Sequence, residues 1–221
     1  MQITNSPEAA RFQKIVLAIQ EQRITRYLPA AQKDREVAFK FYLWNCTLCE
    51  SFHLPLHFSE IVCRNAFHQG LLNRLGERWF ENRVFLGLLD DRYVRELDDA
   101  LRTERLQHGS ALTAHHIVSA LTFGFWEHLA TKRFDRFLWA KGVQEIFPCA
   151  PKGTTRIDIH SLIESVRRWR NRIAHHRAIF DKGPMRKYQD ALSLIKWICD
   201  DTGVWVASSS KVPVAISLRP K

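Results

Sequence analysis

A chain of 221 residues and 25.9 kDa can bury about 70% of its unfolded surface, so it needs neither disulfides nor structural metals to build a core. With 46% hydrophobic and 25% charged residues it is not a disordered chain, and 9 glycines and 8 prolines are too few for the turns of a β-sandwich or barrel. Lys and Arg outnumber Asp and Glu by 33 to 23, a net charge of +10, and from Ala150 onward there are 14 basic against 6 acidic residues.

A basic excess so concentrated is the footprint of a polyanion binder, nucleic acid before an anionic membrane, or else a solvated cationic face. No run of 18 apolar residues indicates a membrane span, and the first residues lack the basic and apolar regions of a signal peptide. Five cysteines fit reduced thiols in a cytoplasmic protein.

Helical periodicity runs along the chain. The Asn5-Ser6-Pro7 start signal precedes an apolar stripe of Phe12, Ile15, Val16 and Ile19, broken at Leu28-Pro29. A second helix is predicted over about Asp34 to Phe52, ended by Leu54-Pro55-Leu56, and a third from about Ser59 to Leu75, stopped by Gly76. Asp91 to Gln107 reads as a charged helix, followed by another from His108-Gly109-Ser110 to about Thr131 and a short aromatic stretch from Phe134 to Trp139. Phe147 to Thr155 is a loop. Ser161 and Glu164 form a capping-box pattern, predicting a helix that extends to about Phe180. Gly183-Pro184 separates it from a last helix ending near Asp201. The predicted fold is all-α: one helical bundle over residues 1–203 with a helical N-terminal extension, then a basic, β-branched tail over residues 204–221, an edge strand or extended arm.

The informative stretch is Arg167-Arg168-Trp169-Arg170-Asn171-Arg172-Ile173-Ala174-His175-His176-Arg177. On a helical wheel Leu162, Val166, Trp169 and Ile173 form a buried seam, Arg170 sits about 40° from it, and His175 about 140° from Arg170. An arginine so near an apolar face needs an anion or acceptor. Asn171 and His175 are an i, i+4 pair. Such residues suit RNA cleavage without a metal. His175 takes a ribose 2′-OH proton or protonates the leaving 5′-oxygen, Arg170 grips the scissile phosphate, and Asn171 orients the imidazole or binds a phosphate oxygen. Arg167, Arg168, Arg172, His176 and Arg177 are candidate RNA contacts. Spacing alone fits a basic surface helix whose Arg170 bridges to another helix more readily than it fits a catalytic site. Two copies of the helix across a two-fold axis would bring both sets of groups into one groove, which predicts a homodimer.

Arg170-Asn171-x-x-x-His175, late in an all-α chain and followed by a second His, resembles the signature of the HEPN superfamily, and more narrowly the chain resembles the Abi (abortive-infection) family. Leu43-Trp44-Asn45 with Phe52, Glu60-x-x-x-Arg64-Asn65, and Leu121-Thr122-Phe123-Gly124-Phe125-Trp126 carry the resemblance across about residues 22 to 200. It implies a HEPN-like bundle and a metal-independent endoribonuclease active at a dimer-formed cleft. It also implies a role in phage defence or toxin–antitoxin regulation, an RNA or protein antitoxin as partner, and no cofactor. The matching motif implies that Glu60, Arg64 and Asn65 form a polar shell around Arg170 or the phosphate; a surface salt-bridge ladder through His68 is the alternative. A non-catalytic RNA-binding module that sequesters or scaffolds RNA is the rival function. Cys46-x-x-Cys49-x-x-x-His53-x-x-x-His57 has the look of a zinc site, but three of its members share one face of a single helix and Pro55 intervenes, so no metal is expected there.

Overall fold

The computed structural model describes residues 7–220, and among them there are helices and no strand. In chain order the α-helices are α1 (Ala9–Ile19), α2 (Glu21–Thr25), α3 (Arg35–Ser51), α4 (His53–Leu75), α5 (Arg83–Leu88), α6 (Asp91–His108), α7 (Ala114–Ala120), α8 (Phe123–His128), α9 (Arg156–Ala174), α10 (Pro184–Lys196), α11 (Asp200–Ser209) and α12 (Val212–Ser217). The Asn5-Ser6 part of the expected start signal lies outside the described residues. Contacts gather residues 7–54, 169–189 and 209–220 into one unit, and Pro55–Arg168 with Asp190–Ser208 into a second.

In the first unit α3 is the organising element. The Asp34 carboxylate caps it by accepting from the Val37 N–H (2.9 Å). Phe41, Trp44 and Leu48, at i, i+3 and i+7, are buried on one face. Phe12 of α1 meets Phe39 edge to face (5.2 Å), Tyr27 packs on Phe180 (4.9 Å), and the Trp44 indole donates to the Ala215 carbonyl of α12 (2.7 Å).

That last bond corrects the expected extended tail. Val204, Val206, Val212, Val214 and Ile216 favour a strand by propensity, but no sheet exists among the described residues to pair with. Burial recurs at helical spacing instead, with Gly203 and Val206 buried in α11 and Val212 and Ala215 in α12. Pro213 is accommodated in the first turn of α12, where its missing N–H is no loss.

The second unit has an aromatic core in which Phe67, Trp79, Phe85, Trp126, Phe134 and Phe147 are fully buried. Phe67 stands edge to face with Phe147 (5.8 Å), and Trp79 donates its indole N–H to His68 Nδ1 (3.1 Å). The single helix expected from His108 to Thr131 is broken at Leu121-Thr122 into α7 and α8, where the Thr122 N–H turns aside to the Glu96 carboxylate (2.8 Å). The Phe134–Trp139 stretch is 3₁₀ and turn, not α-helix. α3 ends at Ser51, close to the expected Phe52, but the next helix starts at His53 rather than at about Ser59 and so takes in Pro55. The proline stands third in α4, inside the first turn whose N–H groups have no intrahelical partner. No helix of the described residues is long and apolar enough to cross a membrane.

Candidate functional site

Helix α9 carries the candidate residues, and both of its ends differ from expectation. It begins at Arg156, where Thr155 and Asp158 cap it reciprocally: the Thr155 N–H and hydroxyl donate to Asp158 Oδ2 (2.8 and 2.7 Å), and the Asp158 N–H donates to Thr155 Oγ1 (3.3 Å). The Ser161–Glu164 pair therefore lies inside the helix. The buried stripe is Ile159, Ile163, Val166 and Trp169, while Leu162 and Ile173 are only half-buried.

The helix ends at Ala174, not Phe180. His175 makes the last i→i−4 bond, to the Asn171 carbonyl (2.9 Å). His176 then turns to φ +52°, its N–H bonds the Ile173 carbonyl (2.9 Å), and the Arg177 N–H bonds the Arg172 carbonyl (3.0 Å). That pair of bonds around one left-handed residue is the Schellman closure, here with histidine where glycine is usual.

The turn exposes Arg170, His175, His176 and Arg177. Arg170 is therefore not the near-buried cation expected from the wheel. The stripe runs through Trp169, and the next residue along a helix is rotated about 100° away from it. Arg170 Nη1 donates to Asn171 Oδ1 (3.3 Å), whereas no hydrogen bond joins the Asn171 and His175 side chains among the described residues.

Residues from elsewhere in the first unit fasten this turn. Asn45 Oδ1 accepts from the N–H of both Ile179 (2.8 Å) and Phe180 (3.2 Å), which draws the chain off the helix axis. Arg172 Nε donates to the Ala178 carbonyl (2.8 Å), Arg23 Nη1 to the His176 carbonyl (3.3 Å), and Arg26 pairs with Asp181 (2.7 Å). Arg23 and Arg26 escaped the sequence reading, and Asn45 entered it without a role. Its signal was present: an amide among Phe41, Trp44 and Leu48 must find partners when buried.

The other candidates divide by environment. Arg167 is engaged by the buried Glu127 carboxylate, the exposed Arg168 pairs with Glu164 (2.8 Å), and Arg172 Nε is bonded to the Ala178 carbonyl, while His175, His176 and Arg177 are exposed on the turn. Glu60, Arg64 and Asn65 lie on α4 in the second unit. Asn65 is exposed, Glu60 and Arg64 are half-buried, and Arg64 Nε is buried without a hydrogen-bond partner. His68 is buried rather than part of a surface ladder.

No group of three or more His, Cys, Asp or Glu among the described residues is placed to hold a metal ion. Burial, with the neighbouring Cys46, pushes the Cys49 thiol up to about 12, and burial raises Cys46 as well, so both thiols stay protonated near neutral pH. Beside the turn a cavity of about 490 Å³ opens within the first unit, bordered by His176, Arg23 and Tyr42 among others. Comparison with protein-family models, curated proteins and solved structures finds no match.

Proposed function

We propose that this chain is a metal-independent endoribonuclease whose reacting groups stand on the turn that closes α9. The observation that carries the reading is the exposed turn itself. It presents His175, His176 and Arg177 together, with His176 in a left-handed conformation that costs energy, and side chains from outside the turn keep it there.

His175 acts as the general base or acid. As base it removes the 2′-OH proton, the 2′-oxygen attacks phosphorus, and the 5′-oxygen departs with a proton from an imidazolium, leaving a 2′,3′-cyclic phosphate. Arg170 binds the phosphate oxygens through its planar fork and stabilises the charge that builds on them, and Asn171 orients that guanidinium through the bond already present. The likeness of Arg170-Asn171-x-x-x-His175 to the HEPN and Abi signature supports this assignment. It extends it to a homodimer that combines two such sets, acting in phage defence or opposite an RNA or protein antitoxin.

The test is incubation of the purified chain with single-stranded RNA in excess chelator, with the product ends analysed. Cleavage should persist and leave 2′,3′-cyclic phosphate. Activity lost with chelator and restored by magnesium contradicts the mechanism, and salt-sensitive binding with no cleavage makes the chain an RNA-binding module instead.

A further inference from the structure

The cavity beside the α9 turn has a lining that neither an inorganic ion nor an apolar ligand requires. Its volume of about 490 Å³ is within the range of small-molecule sites. Arg23 and Arg26 bring cations to it, Tyr27 and Tyr42 bring phenol rings, and no carboxylate is among its described lining residues. Arg23 commits one donor to the His176 carbonyl, and the other N–H groups of its fork remain for an anion. Burial raises the Tyr42 phenol and the Cys46 thiol, the Arg23 charge acts against that rise at both, and all three residues line the same cavity. Arg26 is paired with Asp181 (2.7 Å), which makes Arg23 the main anchor.

We propose that this cavity takes a single unstacked nucleotide, its base against the half-buried Tyr42 ring and its phosphate on Arg23, with Arg26 beside it. Guanidinium forks match phosphate, phenol rings accept the face of any base, and the volume admits one nucleotide rather than a duplex. The inference rests on the nuclease reading only for the source of that nucleotide: a residue of an RNA strand reaching His175, or a free nucleoside monophosphate.

Cys46 lines the cavity and is exposed, and Cys149 is exposed and does not line it, so alkylation of the two thiols followed by mass spectrometry reads occupancy with an internal reference. The probes are adenosine and uridine 5′-monophosphate, inorganic phosphate and a short single-stranded RNA, added to His175→Ala protein so that the strand stays intact. A bound nucleotide should slow Cys46 alkylation about tenfold at ten times its Kd and leave Cys149 unchanged. Arg23→Gln should weaken that protection about tenfold or more. Tyr42→Leu, which keeps both cations, should weaken it too and stands in if Arg23→Gln fails to fold by circular dichroism. Protection by the monophosphates assigns a free nucleotide, and protection by RNA alone assigns a nucleotide within a strand. Inorganic phosphate protecting as well as a nucleotide, or no probe protecting Cys46, overturns the proposal. Protection that stands while the wild-type chain cuts no RNA keeps the cavity assignment and rejects the nuclease.

Discussion

Helices α4 and α9 both stop by turning one residue into the left-handed region, Gly76 at φ +78° and His176 at φ +52°. Gly76 bonds back to the Leu72 carbonyl (2.8 Å), and without a Cβ it takes this conformation at no steric penalty. His176 takes it against a penalty of about 1–2 kcal/mol. Its turn is then over-determined: Arg23 holds its carbonyl, Arg172 holds the Ala178 carbonyl, and Asn45 holds the next two N–H groups. One end terminates a helix. The other keeps an imidazole where glycine would be more stable.

Three perturbations sharpen that contrast. Asn45→Ala should have the largest effect on stability, about 3 kcal/mol in urea denaturation, because it strips the acceptor from two buried N–H groups at once. Asn45→Asp, which keeps the acceptor, should lose less. A neutral Asn45→Ala breaks the idea that this amide fastens the turn. Next, the two left-handed residues should respond with opposite signs: Gly76→Ala should cost about 1 kcal/mol and His176→Gly should gain about 1 kcal/mol. Equal signs, read from denaturation midpoints, place the strain elsewhere.

The smallest effect concerns pH and contrasts the exposed histidines of α9 with the buried His68 of α4. Burial, and then His115, lower the His68 pKa, with Glu77 acting in the opposite sense. The unfolded chain therefore binds the proton more readily. The stability due to neutral His68 is complete above its ordinary value, about 6.5, and is lost as pH falls through the lower folded value. Burial lowers His128 likewise, with Asp90 opposing and Arg133 adding to the lowering. Melting temperature should accordingly drop below neutral pH, and His68→Asn, which keeps an acceptor for Trp79, should reduce the slope without abolishing it. An unchanged slope assigns the pH response to other groups.

What was legible along the chain follows from how local the cause is. Asp34 and the apolar spacing after it mark α3 within a residue, and Gly76 marks the end of α4. The start of α9 was misread because two capping boxes compete. Thr155–Asp158 wins, and starting there brings Ile159 into the core as the first member of the buried stripe. The end of α9 was misread because Ile179 and Phe180 continue the apolar composition, while the group that diverts them, Asn45, lies 134 residues away from Ile179 in sequence. The C-terminal valines form helices for the same reason: the Trp44 bond to Ala215 and the burial of Val212 are tertiary facts that local propensity does not contain. The candidate site divides in the same way. Arg170, Asn171 and His175 sit within six residues and were visible as a motif, whereas Arg23 reaches their turn only through the fold.

In the proposed reaction His175 on this turn moves the proton in RNA cleavage. That role is tested most directly by measuring cleavage rate and RNA affinity together, in chelator, for the wild-type chain and for His175→Ala shown to be folded by circular dichroism. Loss of a general acid or base should lower the rate about 10²–10⁴-fold and leave affinity for uncut RNA essentially unchanged. A folded His175→Ala protein that cleaves at the wild-type rate contradicts that role.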